Sequence, residues 1–243
     1  MDLQRLMSLT RKAIDDYSMI REGDRIAVGI SGGKDSLAML YALAGLRRFY
    51  PKPFELQAIS VDLGFPEGKE AFVPIQALCD RLEVPFTIVP SDIAEILFEI
   101  RKESNPCSLC AKLRKGAFNT AAREHGCNKV AYAHHKDDMI ETFLLALLNE
   151  SRLYCFSPVT YLDRMDLTVI RPMMYVDEAD IIGFKNQYKL PVYQNPCPAD
   201  GNTRREYAKD LVRQLTRETP GARERMFQAI LKGNLPGWPQ KDG

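Results

Sequence analysis

Long apolar runs are missing from this sequence. The strongest one, Phe143 to Leu148, is far too short to cross a bilayer, and no secretory signal is visible at the amino terminus. We therefore expect a cytoplasmic protein without a membrane partner. Internal repeats and low-complexity segments are also missing, which excludes repeat arrays and gives no sign of disorder.

A surplus of charge of one sign is absent as well. The chain has 33 basic and 32 acidic residues, and its net charge of +1 provides no global basic field for nucleic acid. RNA contact would have to use local patches: 47–53, 112–115, and a stretch from Arg204 to Arg225 with seven basic and four acidic residues. A solvated helix face explains each patch about as well as phosphate contact does.

Strands and helices alternate along the chain. Strands are predicted at 25–31, 54–64, 85–93 and 129–135, with a further strand or extended segment at 168–176. Helices are predicted at 2–18, from the first strand to about 49, at 67–82, 108–125 and 137–150, at 177–190 with Asp177 as its cap, and in two polar pieces divided by Thr219-Pro220-Gly221. The alternation predicts an α/β, Rossmann-like doubly wound parallel sheet.

The 243 residues suffice for one large domain. We expect an N-terminal helix within 1–20 and an α/β core over 21–195. The core should include a cysteine-bearing insertion near 104–112, and a helical segment over 196–243 should complete the domain.

Polar side chains stand at the ends of three predicted strands, at Ser31, Asp62 and His134. Ligands of a parallel sheet bind at this edge, so these side chains should converge. Asp137 and Asp138 begin the next helix, where a carboxylate is often a simple cap. Two adjacent carboxylates beside a nucleotide also suit Mg²⁺, which is the role we favour, and Asp62 is a weaker candidate for the same pocket.

The string Ser31-Gly-Gly-Lys-Asp-Ser36, hereafter the glycine turn, joins the first predicted strand to a helix. Backbone N–H groups and the helix dipole make such a turn suitable for phosphate. It is not a Walker loop, because Asp35 stands where that loop needs Ser or Thr, and it does not fit the dinucleotide pattern G-x-G-x-x-G. Two glycines that merely permit tight packing of a helix on a strand are the plain alternative.

Each specified position of the glycine turn matches SGGxDS, so the turn resembles the signature of the PP-loop ATP pyrophosphatases, which split ATP between the α and β phosphates. The resemblance implies that backbone amides and two hydroxyls hold the departing pyrophosphate, at Ser31, Gly32, Gly33 and Ser36. It implies a phosphate contact for Lys34. For Asp35 it implies a role in orienting the turn or in binding Mg²⁺.

Six cysteines in a reducing compartment favour metal or redox chemistry over disulfides. Cys107 and Cys110 form a C-x-x-C at the start of a predicted helix, whose positive end should lower the thiol pKa values. By itself this pair is ambiguous among zinc, a redox dithiol, an iron–sulfur cluster and two buried thiols. Cys197 shares the loop context Asn-Pro-Cys with Cys107. The remaining cysteines are predicted to be core or incidental thiols: Cys79, Cys127 and Cys155.

Longer strings carry a closer resemblance, namely CSLCAKLRKG, HHKDDMIETFLL, IRPMMYVDEADI and the ending REYAKDLVRQLTRETPGARERMF. Over about residues 20–228 the chain resembles the tRNA 2-thiocytidine synthetase (TtcA) group of PP-loop enzymes, which implies an adenine nucleotide alpha hydrolase-like fold. In that group three cysteines hold a [4Fe–4S] cluster and leave one iron open to carry a sulfide. The ligands implied here are Cys107, Cys110 and Cys197.

The resemblance implies an ATP-dependent sulfurtransferase that adenylates a base carbonyl, cytidine 32 of tRNA in that group, and replaces the oxygen with sulfur. Its cofactors would be ATP, the [4Fe–4S] cluster and Mg²⁺ at Asp137 and Asp138. Its partners would be tRNA and a sulfur donor such as a cysteine desulfurase, and a homodimer is left open. The three cysteines, Lys34 and Asp35 are the expected catalytic side chains.

Two features depart from the group's pattern. Ala133 stands where the histidine motif usually begins with glycine, and Cys197 lacks the second cysteine that some relatives carry there. The chain is also short and nearly neutral, so thiolation of a small molecule stays open as an alternative. A third hypothesis is a nucleotide-binding zinc or sulfur-carrier module that performs no adenylation.

Overall fold

The structure is a computed structural model that describes residues 1–65, 70, 72–101, 106–193, 197 and 204–239. Its helices are α1 (Leu3–Asp16), α2 (Lys34–Arg47), α3 (Phe72–Arg81), α4 (Ile93–Glu95), α5 (Pro106–Glu124), α6 (Lys136–Glu150), α7 (Glu178–Gln187), α8 (Arg204–Glu218) and α9 (Ala222–Lys232), and α4 continues into a π-helical turn, Ile96–Ile100. Its strands are β1 (Asp24–Gly29), β2 (Phe54–Val61), β3 (Phe86–Val89), β4 (Lys129–Ala131), β5 (Val159–Leu162) and β6 (Leu167–Ile170). No helix in these ranges has the length and apolar character needed to cross a membrane.

The six described strands form one sheet in the order β3-β2-β1-β4-β6-β5. All neighbouring pairs are parallel except β5 and β6, which are antiparallel. The predicted doubly wound parallel sheet is therefore confirmed for five strands and corrected at its edge. The sequence did not predict β5, because a four-residue edge strand whose side chains are half-buried or exposed has no sustained apolar pattern.

Both faces of β1 are buried, as is usual for a central strand of a parallel sheet. Ile26 and Val28 belong to the core that lies under α1 and α2. Ala27 belongs to a second core, which α5 completes with Phe118 and Ala122. The sheet is thus covered by helices on both sides, and α5 is the cover of the second face.

The chain reverses its direction of travel across the sheet at β1. From β1 it moves outward to β2 and β3, and it then returns to β4 on the other side of β1. Ligands of doubly wound sheets bind at such a switch point, outside the carboxyl ends of the strands. The crevice between the ends of β1 and β4 is therefore the expected place for a site.

The predicted strands are too long at this same edge. β1 stops at Gly29 and β4 at Ala131, so Ser31 and His134 lie beyond the ladder. The predicted strands are longer because an apolar pattern in the sequence does not show where the hydrogen bonds between strands end. The overrun has a useful consequence, since side chains just past a strand end can line the crevice.

The structure corrects the predicted helix cap at Asp177 and confirms the two terminal helices. Asp177 does precede α7, but its side chain caps no backbone N–H and instead accepts from Arg223 Nη2 at 2.8 Å. Residues 67–69 and 71 of the predicted helix at 67–82 lie outside the described residues, as do residues 104 and 105 of the cysteine-bearing insertion. The two predicted terminal helices are present as α8 and α9, and both pack against α6.

A buried ion pair ties the amino ends of β1 and β4 together. Asp24 lies 2.9 Å from Lys129 Nζ, and its other oxygen accepts from Asn128 Nδ2 at 2.8 Å. Lys129 Nζ also donates to Met19 O at 2.7 Å, so the buried charge is well satisfied. Removal of one partner from such a pair leaves an unmatched charge in the interior.

Replacement of Asp24 with alanine should therefore lower the free energy of unfolding by about 3 kcal/mol, because the Lys129 ammonium loses its counter-ion. Urea denaturation measures this loss. Glu55→Ala is the control, because Glu55 makes only an exposed ion pair with Arg25 at 3.5 Å. It should change stability by less than about 1 kcal/mol, and equal losses in the two variants would contradict the account.

Candidate nucleotide-binding and cysteine site

The glycine turn follows β1 and leads directly into α2. Gly32 has a φ of +80°, a left-handed conformation that side chains rarely adopt. The N–H of Tyr193 donates to Gly32 O at 2.9 Å, and a Cβ on Gly32 would lie 3.4 Å from the Cβ of Tyr193. The backbone conformation therefore favours glycine, and an added Cβ would also be in tight contact with Tyr193.

Hydrogen bonds inside the turn hold its shape. Ser36 Oγ donates to Gly33 O at 2.9 Å and accepts from Ser31 N at 3.2 Å, and Gly33 N donates to Ser31 Oγ at 3.3 Å. Gly33 is the N-cap of α2 and has no side chain to cap the helix. The first N–H groups of α2 thus stay available, together with the positive end of the helix dipole, for an anion.

Lys34 and Asp35 differ in their surroundings. Lys34 Nζ lies 3.1 Å from Asp35 Oδ2 and 3.1 Å from Glu178 Oε1. Burial lowers the pKa of Lys34, but the two carboxylates outweigh it and raise the pKa overall. Asp35 Oδ1 is buried and accepts no hydrogen bond from the described residues. Such an orphaned acceptor is the atom of this turn best suited to a cation.

A cavity of about 560 Å³ opens beside the glycine turn, and we call it the central cavity. Seven of the predicted site residues line it together: Ser31, Gly32, Asp35, Ser36, Asp62, His134 and Asp138. Gly33, Lys34, Asp137 and the three candidate cysteines are not among its lining residues. The expectation that strand-end residues converge is thus confirmed for Ser31, Asp62 and His134.

The central cavity has an apolar wall near the end of β2 and cationic side chains at the end of β6, on α8 and on α5, where Arg114 and Lys115 line it. The segment after β2 contributes Phe65, Phe72 and Ile75. Arg171 contributes from the end of β6, where the backbone leaves the sheet, and Arg205 contributes from α8. An aromatic base therefore finds apolar surface on the β2 side, whereas anionic groups find cations on the β6 side.

The two adjacent carboxylates of α6 have separate environments. Asp138 accepts from His135 N at 3.0 Å and from Arg205 Nη1 at 3.0 Å, and it lines the cavity. Asp137 accepts from Arg223 Nε and Nη2, at 2.7 and 2.8 Å, and points into a second cavity of about 540 Å³. Burial raises the pKa of Asp137, but the hydrogen bonds and charge of Arg223, together with the hydrogen bond from Glu178 N, outweigh burial and lower the pKa overall. Asp137 thus forms an ion pair with Arg223 and does not line the central cavity.

His134 is a neutral imidazole. Its ring stacks on Phe156 at 4.3 Å between centroids, and its Nδ1 accepts from Arg171 Nε at 3.1 Å. Burial, and then the Arg171 charge, lower the pKa of His134 to about 3. Because Nδ1 accepts a hydrogen bond, the ring proton lies on Nε2, and His134 can donate to a ligand without acting as an acid at neutral pH.

The three candidate cysteines lie near one another. Cys107 is exposed, Cys110 and Cys197 are half-buried, and the thiols of Cys107 and Cys197 both act electrostatically on Cys110. The prediction of a lowered thiol pKa is wrong for Cys110. Burial raises the pKa of Cys110, Arg114 lowers it, and the two neighbouring thiols raise it further. Within the described ranges, no three His, Cys, Asp or Glu side chains are already placed to hold a metal ion.

The other cysteines are core thiols, as predicted. Cys79, Cys127 and Cys155 are each buried to 1% exposure or less. Burial raises their pKa values to about 12, 11 and 12 respectively. They are therefore protonated and unsuited to metal binding at neutral pH.

Similar proteins bear on this geometry. A family model described as PP-loop domain matches residues 4–218. The chain belongs to the PP-loop family. It is 40% identical over 239 residues to the tRNA-cytidine(32) 2-sulfurtransferase of Syntrophotalea carbinolica, with coverage of 96% of this chain and 89% of that protein. The enzyme of the same name from Pelobacter propionicus is 40% identical over 230 residues, with coverage of 93% and 85%.

A solved PP-loop structure shares the fold. It is described as U34-tRNA thiolase NcsA from Methanococcus maripaludis with its [4Fe-4S] cluster, and it aligns with a TM-score of 0.76. The alignment covers 93% of this chain and 76% of that one at 22% identity. At this identity the likeness shows the common architecture, and it confirms the predicted PP-loop fold class.

Sequence reasoning missed several residues of this PP-loop site. Arg171 directly follows β6 and Tyr193 follows α7, and both line the central cavity. The rule that ligands bind at carboxyl ends of strands would have found Arg171, had the end of β6 at Ile170 been known. Nothing in the local sequence marks Tyr193, whose place depends on a contact with Gly32, 161 residues away in the numbering.

Gly32→Ala tests the PP-loop geometry. The left-handed φ and the contact with Tyr193 should lower stability by about 1 kcal/mol and weaken ATP binding by about tenfold. Gly116→Ala is the matched control, because Gly116 lies in α5 with nothing within 4 Å of an added Cβ. That variant should keep its ATP affinity, and its stability should rise by up to about 1 kcal/mol, because alanine is the better helix former. Calorimetric titration with ATP measures the affinity of each variant, and urea unfolding measures its stability. Unchanged ATP affinity in Gly32→Ala would contradict a phosphate-binding role for the turn.

Glu141 provides a pH-dependent test of the second cavity. Its carboxyl group is 5% exposed and lies 3.9 Å from Arg205 Nε. Burial, followed by the charge of Asp138, raises the pKa of Glu141 from 4.5 to about 7. The folded state thus binds this proton more tightly than the unfolded state does, so stability falls as the pH rises between these two values.

Between pH 5 and pH 8 the native protein should lose about 2 kcal/mol of stability more than a Glu141→Gln variant does. Urea unfolding of both proteins at the two pH values measures the difference. If the two proteins respond equally to pH, Glu141 does not carry a raised pKa.

Proposed function

We propose that this protein is an ATP-dependent tRNA sulfurtransferase that activates a base carbonyl, cytidine 32 being the favoured target, and replaces its oxygen with sulfur. The observation that carries the proposal is the course of α5. Cys107 and Cys110 lie within its first five residues, and Ala111 and Arg114, which follow directly, line the central cavity. One rigid helix therefore connects the thiols to the nucleotide cavity.

ATP fits the central cavity in one direction. The apolar surface after β2 suits the adenine ring, and the open amides at the start of α2 suit the β and γ phosphates. Mg²⁺ would bind at Asp35, whose buried Oδ1 lacks a hydrogen bond from any described residue. Asp138 also lines this space, although Arg205 already neutralises it in part.

The proposed activation is an attack of the base oxygen on the α-phosphorus. A new bond joins that oxygen to phosphorus, the bond between the α-phosphorus and the bridging oxygen breaks, and pyrophosphate leaves towards the glycine turn. The α2 amides face the charge that develops on the leaving group, and fixed donors of this kind are effective because they need no rearrangement. Sulfur then replaces the activated oxygen on the base, and AMP leaves.

The three cysteines suit an iron–sulfur cluster by their chemistry. Cys107 and Cys197 are both near enough to act electrostatically on Cys110, and soft thiolates select iron–sulfur clusters and zinc over hard cations. A cluster held by three thiolates supplies one iron with an open coordination position for sulfur. The raised pKa of Cys110 means that its thiol must lose a proton when metal binds, as thiol ligands generally do.

A surface for RNA adjoins this arrangement. α8 carries basic residues at a spacing of four, Arg205 at the central cavity and then Lys209, Arg213 and Arg217 along the second cavity. Arg213 and Arg217 are exposed. A helix rises about 6 Å over four residues, which is close to the phosphate spacing of an extended strand. The proposal also retains a sulfur donor such as a cysteine desulfurase and a cytoplasmic location as expectations.

The decisive experiment is thiolation with protein purified without oxygen. The protein should contain iron, and with bulk tRNA, ATP and sulfide it should form a thionucleoside with release of AMP and pyrophosphate. Cys197→Ala should lose both iron and thiolation, because the trio of thiols is broken. Cys127→Ala is the control, because that thiol is buried in the α5 core, and it should keep both properties.

The two alternatives give different results in this experiment. Pyrophosphate release that depends on a small molecule and not on tRNA would favour thiolation of a small molecule. A colourless protein that contains zinc and releases no pyrophosphate would favour the carrier module. Either result would overturn the proposed function.

A further inference from the structure

Arg171 occupies the β6 side of the central cavity. It is the first residue after β6, at the same edge of the sheet as the glycine turn. β4 lies between β1, which leads into the glycine turn, and β6, which leads into Arg171. The backbones of β1 and β6 are therefore about 10 Å apart at the usual strand spacing. Arg171 therefore approaches a ligand from the β6 side of the cavity, whereas the amides at the start of α2 approach it from the β1 side.

The partners of the Arg171 guanidinium are all neutral. Nε donates to His134 Nδ1 at 3.1 Å, Nη1 donates to Ser157 O, and the Phe156 ring lies 5.1 Å from the guanidinium carbon. Among the described residues, no carboxylate lies within 4.0 Å of the Arg171 guanidinium nitrogens. Nη2 donates no hydrogen bond to any of these residues. Burial lowers the pKa of Arg171 to about 10, so the side chain stays charged at neutral pH.

The two cations that approach from the terminal helices are matched, whereas Arg171 is not. Arg205 pairs with Asp138 at 3.0 Å, and Arg223 pairs with Asp137 at 2.7 Å. Buried charges in proteins are ordinarily paired, because an isolated one is strongly unfavourable. A half-buried guanidinium with only neutral partners, at the wall of a ligand cavity, has its natural counter-ion in the ligand.

We propose that Arg171 is an anchor for a phosphate group on the β6 side of the central cavity. The proposal rests on the proposed function, which brings two such phosphates there: the α-phosphate of the nucleotide and a backbone phosphate of the acceptor RNA. Guanidinium recognises either through its planar N–H groups. His134 holds the guanidinium by accepting from Nε, which makes His134 a positioning residue for Arg171.

Arg171→Met removes the charge and keeps most of the side-chain volume. Arg171→Lys keeps the charge but loses the planar donors. The matched control is Arg47→Met, because Arg47 is also half-buried and donates only to carbonyl oxygens, Leu82 O and Glu83 O, far from the cavity. Thermal unfolding of each variant establishes that it is folded before binding is compared.

Two binding measurements identify the source of the phosphate. Calorimetry with AMP reports the α-phosphate, and tRNA binding at several salt concentrations reports the RNA backbone. Arg171→Met should weaken one of them by about tenfold, with Arg171→Lys between it and the native protein. If the partner is RNA, the salt dependence should also fall by about one unit of slope, as for one lost phosphate contact. Arg47→Met should match the native protein in both.

The inference is overturned if folded Arg171→Met, or Arg171→Lys should the methionine variant not fold, binds both AMP and tRNA as the native protein does. That result would leave the proposed function intact, because the native protein still binds both ligands. A native protein that binds neither AMP nor tRNA would overturn the proposed function and the inference together.

Discussion

The open amides at the start of α2 are the feature on which the candidate site depends. Gly33 offers no side chain to cap the helix, and Gly32 adopts a left-handed conformation that brings the backbone close to Tyr193. The serines of the turn bond to its own backbone and to each other, so its shape does not need a ligand. A phosphate is then bound by groups that are already in place, which favours charge development on a leaving pyrophosphate.

Ion pairs hold the terminal helices in place beside that turn. Glu178 of α7 lies 3.1 Å from Lys34 and 2.8 Å from Lys209, and Arg223 of α9 holds Asp137 of α6. These pairs attach the terminal helices to the helices that follow β1 and β4. The C-terminal segment is therefore part of the site, and Arg205 of α8 reaches the cavity wall itself. A truncated chain without α8 and α9 would expose carboxylates that are now neutralised.

Local chemistry made part of this predictable from the sequence. The glycine turn could be located to the residue, because a phosphate-binding turn between strand and helix needs glycine at fixed positions, and the core cysteines could be separated from the others by their apolar neighbours. Long-range contacts made the rest unpredictable. The ion pair of Asp137 with Arg223 is not visible in the sequence, because the two residues are 86 positions apart. The pKa of Cys110 rises because burial outweighs the charge of Arg114. Arg171 drew no attention, since its lack of a carboxylate partner is visible only in three dimensions.

In the proposed reaction, ATP activates the same oxygen that sulfur then replaces. Transfer RNA that carries ¹⁸O at the C2 carbonyl of the target cytidine tests this directly, by mass spectrometry of the products after thiolation. Attack of that oxygen on the α-phosphorus places the label in AMP, in proportion to the thionucleoside formed. If the label is found in water or in pyrophosphate while thionucleoside accumulates, the base oxygen was not adenylated, and the role given to the glycine turn is wrong.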